Sequence, residues 1–304
     1  MRFLAILCLP LVLLLCPACS SISYDARAER SWSASSVSSN DLEISTRNGS
    51  VEVVVDPTAS ASAAPAATAS TAWTGAPVRI DASIRATGAS QQEADRRLSQ
   101  VTITTAERNG RLFIEPVLPE GWRSNDAVSL KVVVPTANCV NVSTSNGSIS
   151  VAQLGGPADL RTSNGPISAR AVAGAVTART SNGRIDIEDA GGAVRAESSN
   201  GRIVVRGAPG PVEVETSNGR LELIDVGGPL DASSSNGGVE ILLRAGFGGT
   251  LEASTSNGRI TLDAAPSVRR SVAERSRATL EFFNPGQASR VRTSNGSVEI
   301  RTSG

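Results

Sequence analysis

Proton transfer near neutral pH most often uses histidine, and zinc and copper sites are built largely from histidine and cysteine. This chain of 304 residues has no His, one Lys (Lys131), one Tyr (Tyr24) and four Cys. Serines are plentiful, but none has a His or an adjacent Lys to activate it, so a serine nucleophile is excluded. The densest acidic group is Asp186, Glu188 and Asp189. Clustered carboxylates are what a polysaccharide-acting β-helix enzyme would need for acid and base work, and that is the enzymatic alternative. One repeat away, however, Ser168 and Val204 take the place of Asp186, and Arg206 that of Glu188. This describes a solvated charged face. No catalytic residue, cofactor or metal site is expected.

The cysteines point to a different covalent chemistry. Arg2, the apolar run Phe3 to Leu15, then Pro17 and Ala18 before Cys19 make a positive start, a stretch too short to span a bilayer and a small residue at a cleavage point. Residues 1–18 therefore read as a signal peptide, and they resemble a bacterial lipoprotein signal in which Cys19 receives the lipid. Cys16 and Pro17 depart from the usual pattern of such signals, and an ordinary secretory signal cleaved near Ala18 also fits. Cleavage discards Cys8 and Cys16, and Cys139 is then expected to be a buried core thiol. The expected location is the cell envelope, with the chain held to a membrane by its N-terminal lipid. Ser20 after the acylated Cys fits outer-membrane sorting.

Basic and acidic residues balance at 29 each, mixed along the chain, which leaves no electrostatic footprint for nucleic acid. The partner is expected to be a protein or a cell-surface component. Residues 19–40 are Ser- and Ala-rich and read as a flexible tether. Residues 57–75, almost wholly Ala, Ser, Thr and Pro, read as a disordered loop.

What must position any surface group is a repeat. Ser-Asn-Gly recurs every 18 residues from Ser145 to Ser235, then after 21 at Ser256 and after 38 at Ser294. Two residues past each Gly stand aliphatics such as Ile149, Ile167, Ile185 and Ile203, with a second aliphatic or Ala two further on. That alternation is a strand with one buried face. Nine residues later Ala158, Val176, Val194 and Val212 begin a second strand, and Gly-Gly or Pro-Gly marks the turn between the two. Three hexapeptides would also fill 18 residues, but the apolar positions fall every nine. The predicted fold is all-β: a single-stranded parallel β-solenoid with 18-residue, two-strand coils over 145–304 and one short helix near residues 90–100.

Stacked coils put like positions above one another at ~4.8 Å. Asn146, Asn164, Asn182, Asn200, Asn218, Asn236, Asn257 and Asn295 then form a turn column. Their amides can bond along the stack, and Asn and Gly also tolerate the positive φ expected at a sharp reversal. The 38-residue gap is expected to hide one irregular coil with Leu280 and Phe282 inside, and Phe282-Phe283 as an end plug. The Asp of a calcium-binding nonapeptide turn is missing. Arg161 and Arg179 interrupt the Thr array that ice binding would need.

Taken in order, Asn48-Gly49-Ser50-Val51-Glu52-Val53, the segment Glu93-Ala94-Asp95-Arg96-Arg97-Leu98, Val132-Val133-Val134-Pro135 and the Ser-Asn-Gly ladder resemble the bacterial candidate-adhesin family of β-solenoid domains of unknown function, from about Leu42 to the C-terminus. The resemblance implies a right-handed parallel solenoid spanning 41–304, exposed in the envelope and without known catalytic residues. A non-enzymatic, adhesin-like binding or structural scaffold follows, with a periplasmic role in envelope-stress signalling as another reading.

Overall fold

The computed structural model describes residues 23–34, 41–55, 78–263 and 268–303. The expected signal peptide, Cys19 and the loop 57–75 lie outside them. The chain opens with β1 (Tyr24–Ala34), β2 (Asp41–Asn48), β3 (Val51–Val55), β4 (Val78–Gly88), helix α1 (Gln91–Gln100), β5 (Thr102–Arg108), β6 (Arg111–Val117) and β7 (Ala127–Val134). Regular coils follow as β8 (Cys139–Asn146) with β9 (Ile149–Leu154), β10 (Ala158–Thr162) with β11 (Ile167–Val172), and β12 (Val176–Thr180) with β13 (Ile185–Ala190). Three more are β14 (Val194–Ser198) with β15 (Ile203–Ala208), β16 (Val212–Thr216) with β17 (Leu221–Val226), and β18 (Leu230–Ser234) with β19 (Val239–Leu243). The chain ends with β20 (Thr250–Thr255), β21 (Ile260–Asp263), β22 (Val268–Ala273), β23 (Arg277–Phe282), β24 (Ala288–Thr293) and β25 (Val298–Thr302).

Each coil contributes one strand to each of two long sheets, and the core lies between them. Pairing along the regular coils is parallel and in register: Ile185 sits opposite Ile167 on one side and Ile203 on the other. Its coil buries Val176, Ala178, Ile185 and Ile187 completely. Each large aliphatic so placed is worth ~1.5–3 kcal/mol of transfer free energy, so stability grows with the number of coils.

The positive φ expected at the Ser-Asn-Gly turns is not there, although the earlier Asn48-Gly49 and Asn109-Gly110 carry it, at φ 143° for Gly49, 52° for Asn109 and 72° for Gly110. In the regular coils it falls instead in the second strand, at Gln153 of β9, Ala171 of β11, Asp189 of β13, Gly207 of β15 and Asp225 of β17, with values of 52–66°. That residue is an insertion in the pleat. It shifts the alternation by one, so Leu154, Val172, Ala190, Ala208 and Val226 turn inward as a third buried position.

At the N-terminal end, residues 24–34 are not a tether. They form β1, which pairs antiparallel with β4 along its whole length, Tyr24 opposite Gly88 and Ala34 opposite Val78. Ala26 is buried, and Ala28, Trp32 and Ala34 pack against the core from the same face. The alternation exists, but Ala carries it too weakly to stand out in the sequence. β4 then pairs antiparallel with β7, and β5 with β6. Antiparallel strands thus close both sheets at this end, which protects the parallel stack from edge pairing. A buried ion pair ties α1 to this cap: Arg97 donates to Asp126 at 2.7 Å, and Asp126 also accepts from the backbone N–H and hydroxyl of Thr87.

The C-terminal end departs from chain order. The sheets run β18-β24-β20-β23-β22 and β19-β25-β21. The final coil therefore lies between the coil before it in sequence and the last regular one, and the 38-residue gap contains no irregular coil. Its residues form an antiparallel β22–β23 hairpin laid on β20. Leu280 and Phe282 are buried there, Phe282 meets Phe247 edge to face at 5.1 Å, and Phe283 is exposed and plugs nothing.

Candidate functional site

The most regular surface feature is the ridge of Ser-Asn-Gly turns. The Nδ2 of Asn164 donates to Oδ1 of Asn146 at 2.8 Å, and Asn182, Asn200, Asn218 and Asn236 repeat the bond at 2.8 Å. Asn295 then donates to Asn236 at 2.7 Å and Asn257 to Asn295 at 2.8 Å, following the spatial order rather than the sequence order. Asn146 donates to Asn48 at 2.6 Å, so the column also takes in the first coil. Each bond is worth ~0.5–1.5 kcal/mol net, toward the low end here because most of these amides face water. Asn182→Ala removes two of them, and urea unfolding should show a loss of about 1 kcal/mol. An unchanged midpoint would mean that the ladder adds nothing to stability.

Beneath the amides runs a second column that sequence reasoning missed. The residue just before each Ser-Asn-Gly is Thr or Ser, and it is buried. Its hydroxyl donates to the glycine carbonyl one coil away: Thr162 to Gly147 at 3.0 Å, Thr180 to Gly165 at 3.1 Å, Ser198 to Gly183 at 3.2 Å. A buried carbonyl left without a donor is costly, so the repeated unit is Thr/Ser-Ser-Asn-Gly. The signal was in the sequence at every repeat.

On the outer faces, charges pair within and between coils. Glu197 receives Arg195 at 2.6 Å and Arg179 at 3.0 Å, and Arg195 also reaches Glu213 at 2.6 Å. Burial pushes the Glu197 carboxyl up, but the hydrogen bonds from Arg195 and Arg179 outweigh it and hold its pKa below the ordinary value. The small stabilisation this gives is present above the unfolded pKa of a Glu and is lost as pH falls through the lowered one. The three acids singled out in the sequence do not converge. Asp186 is held by Arg184 at 2.5 Å, and Glu188 lies between Arg170 at 3.3 Å and Arg206 at 3.5 Å. Asp189 is the left-handed residue of its strand, with φ 56°.

Beside the turn ridge lies a shallow groove of about 500 Å³, lined by Ser143, Arg161, Arg179, Glu197 and Glu215 on one side and the turn serines on the other. No aromatic ring lines it. Trp32 and Trp122 pack against the core, and Trp73 lies outside the described residues. Cys139 is half-buried, not a core residue: it pairs in register with Asp41 at the outer face of β8. Burial first, and the Asp41 charge second, push its thiol pKa up. Among the described residues, no three His, Cys, Asp or Glu are grouped to hold a metal. No helix among them is long and apolar enough to cross a membrane.

Two parallel sheets closed by antiparallel caps, an amide ridge and self-paired outer charges define a β-solenoid scaffold. A family model described as Toastrack DUF4097 matches residues 68–301, and the chain belongs to that family. The match begins later than Leu42. A search of curated proteins finds no match. Among solved structures, a candidate adhesin from Bacteroides fragilis is 11% identical with TM-score 0.40, covering 91% of this chain and 97% of that one. A candidate adhesin from Parabacteroides merdae is 9% identical, with TM-score 0.38 and coverage of 90% and 95%. A candidate lipid-binding protein from Parabacteroides distasonis is 12% identical, with TM-score 0.35 and coverage of 91% and 97%.

Proposed function

We propose that this protein is a non-enzymatic scaffold of the bacterial cell envelope, anchored to a membrane through a lipid on Cys19 and offering a long polar face to a partner. The observation that carries the reading is the uninterrupted stack. Among the described residues, twelve strands in one sheet at ~4.8 Å spacing make a body about 50 Å long, whose outer carboxylates are largely engaged by arginines rather than converging on a point. Such a surface suits a spacer, or a broad contact of low affinity along the serine-lined groove. β1 begins five residues after Cys19, at most about 18 Å of chain, so a lipid there would hold the N-terminal cap close to the bilayer and point the repeats along or away from it.

The test is the state of the mature N-terminus. Mass spectrometry should find Cys19 as the first residue and acylated, and Cys19→Ala should move the protein from the membrane fraction to the soluble one. An unmodified Cys19, or a start elsewhere, overturns the anchor. Turnover of an envelope polysaccharide that is lost in Asp186→Asn or Glu188→Gln would overturn the scaffold.

A further inference from the structure

The intercalated final coil makes the C-terminal end a slot-and-insert joint. Loop 244–249 leaves β19, steps past one coil height and starts β20 at Thr250, and β24 and β25 fill the space so left. They are held on both faces as any regular coil is. Ser233 pairs with Arg292, which pairs with Ser254, and Glu240 pairs with Glu299, which pairs with Thr261. The two ridge columns also pass through the insert. The Thr293 hydroxyl donates to the Gly237 carbonyl at 2.9 Å, and that of Thr255 to the Gly296 carbonyl at 2.8 Å. Among the described residues, β20 and β21 have no strand pairing with β18 or β19; the ladder between them runs through the final coil.

We propose that this coil is exchangeable: two copies of the chain associate by each placing its β24–β25 in the slot of the other. The slot specifies its occupant closely. It needs a hydroxyl for the Gly237 carbonyl, an amide between Asn236 and Asn257, and inward aliphatics level with Val239 and Ile241. A second copy supplies all of these, through contacts identical to those the chain makes with itself, so exchange costs mainly association entropy and the opening of a hinge. The hinge is the exposed stretch Phe283-Asn284-Pro285-Gly286-Gln287. In the closed form it passes tightly against the crossing loop, where a Cβ on Gly286 would lie 2.6 Å from the Gly248 carbonyl. Short, crowded hinges are those that favour exchange over closure. The proposal does not depend on the lipid anchor.

Three variants test it in the mature chain carrying Cys19→Ser and Cys139→Ser. The double variant Ser233→Cys, Arg292→Cys, refolded dilute and oxidised, should form a disulfide within one chain, because the two positions are strand partners. Chains carrying only Ser233→Cys, mixed with chains carrying only Arg292→Cys and refolded together at high concentration, should form a 233–292 disulfide between chains, with a yield that rises with concentration. A mixture of Ser233→Cys with Arg161→Cys, on the same face but coils away, should not. No inter-chain 233–292 bond at any concentration, equal bonding in the 161 mixture, or a double variant that fails to close within one chain would each overturn coil exchange.

Discussion

Replacing Ile185 with Asp should destabilise the protein by at least about 4 kcal/mol and disrupt the adjoining coils, at the top of the range for single substitutions. Ile185 is fully buried, and its neighbours along the stack are its own equivalents, Ile167 and Ile203, both also fully buried. Among the described residues no arginine lies on this inner face of the coil to pair with a new carboxylate; Val176 and Ala178 in the same coil are buried and apolar. The charge must then be protonated or the coil must open to water, and either is expensive. Opening a middle coil also takes the packing surface from the coils on both sides, so the loss should spread. Arg184, one residue away, points outward, and its pairing with Asp186 at 2.5 Å is half exposed. Arg184→Asp should cost about 1 kcal/mol or less, since exposed pairs are screened. Thermal melts of the two variants decide the matter: equal tolerance at 184 and 185 would mean that the column is not the core.

The parts of this fold that were legible in the sequence are those where periodicity and chemistry coincide. Alternating Ile and Val at 149/151, 185/187 and 212/214 have only one way to bury a face, so the two-strand coil could be read directly, as could Ala94 and Leu98 on one side of α1. The turn asparagines could be placed in one column because their spacing matches the coil. What could not be read has physical reasons. Coils with the same inner residues and the same turn stack equally well on one another, so periodicity does not say that 288–302 sits between 230–243 and 250–263. The spacings of 21 and 38 residues were the only trace of that order. β1 was hidden because Ala26, Ala28 and Ala34 bury little area each. The left-handed residue was hidden because its column holds Gln153, Ala171, Asp189, Gly207 and Asp225, of which only Gly207 announces a special backbone. The hydroxyl column was in view at Thr162 and Thr180, but its acceptor, the glycine carbonyl of the next coil, becomes visible only when the stack is built.

Replacing Gly201 with Ala should cost about 3 kcal/mol or more, although the change adds one methyl group and Ala is ordinarily the milder residue. The glycine is not there for positive φ, since the glycines of the regular Ser-Asn-Gly turns are absent from the left-handed region. Space is the constraint. A Cβ on Gly201 would stand 1.7 Å from the carbonyl oxygen of Gly183 and 2.6 Å from its carbonyl carbon, both backbone atoms of the coil below. Gly183 is in the same relation to Gly165, and Gly219 to Gly201, at 1.7 and 1.8 Å. Nothing flexible can move aside; the turn itself must lift, which stretches the Asn200 to Asn182 bond of 2.8 Å and the Ser198 hydroxyl bond to the Gly183 carbonyl of 3.2 Å. The loss therefore combines overpacking with two weakened hydrogen bonds in adjacent columns. Gly155, in the opposite turn, is the control: a Cβ there meets only the Ala137 carbonyl at 3.9 Å, an ordinary contact, and its φ is not left-handed. Gly155→Ala should be neutral or slightly stabilising, because it restricts the unfolded chain without strain. Urea unfolding of the two variants against the unaltered protein measures both effects, and a Gly201→Ala protein as stable as Gly155→Ala would show that the turns do not stack as closely as the ridge requires.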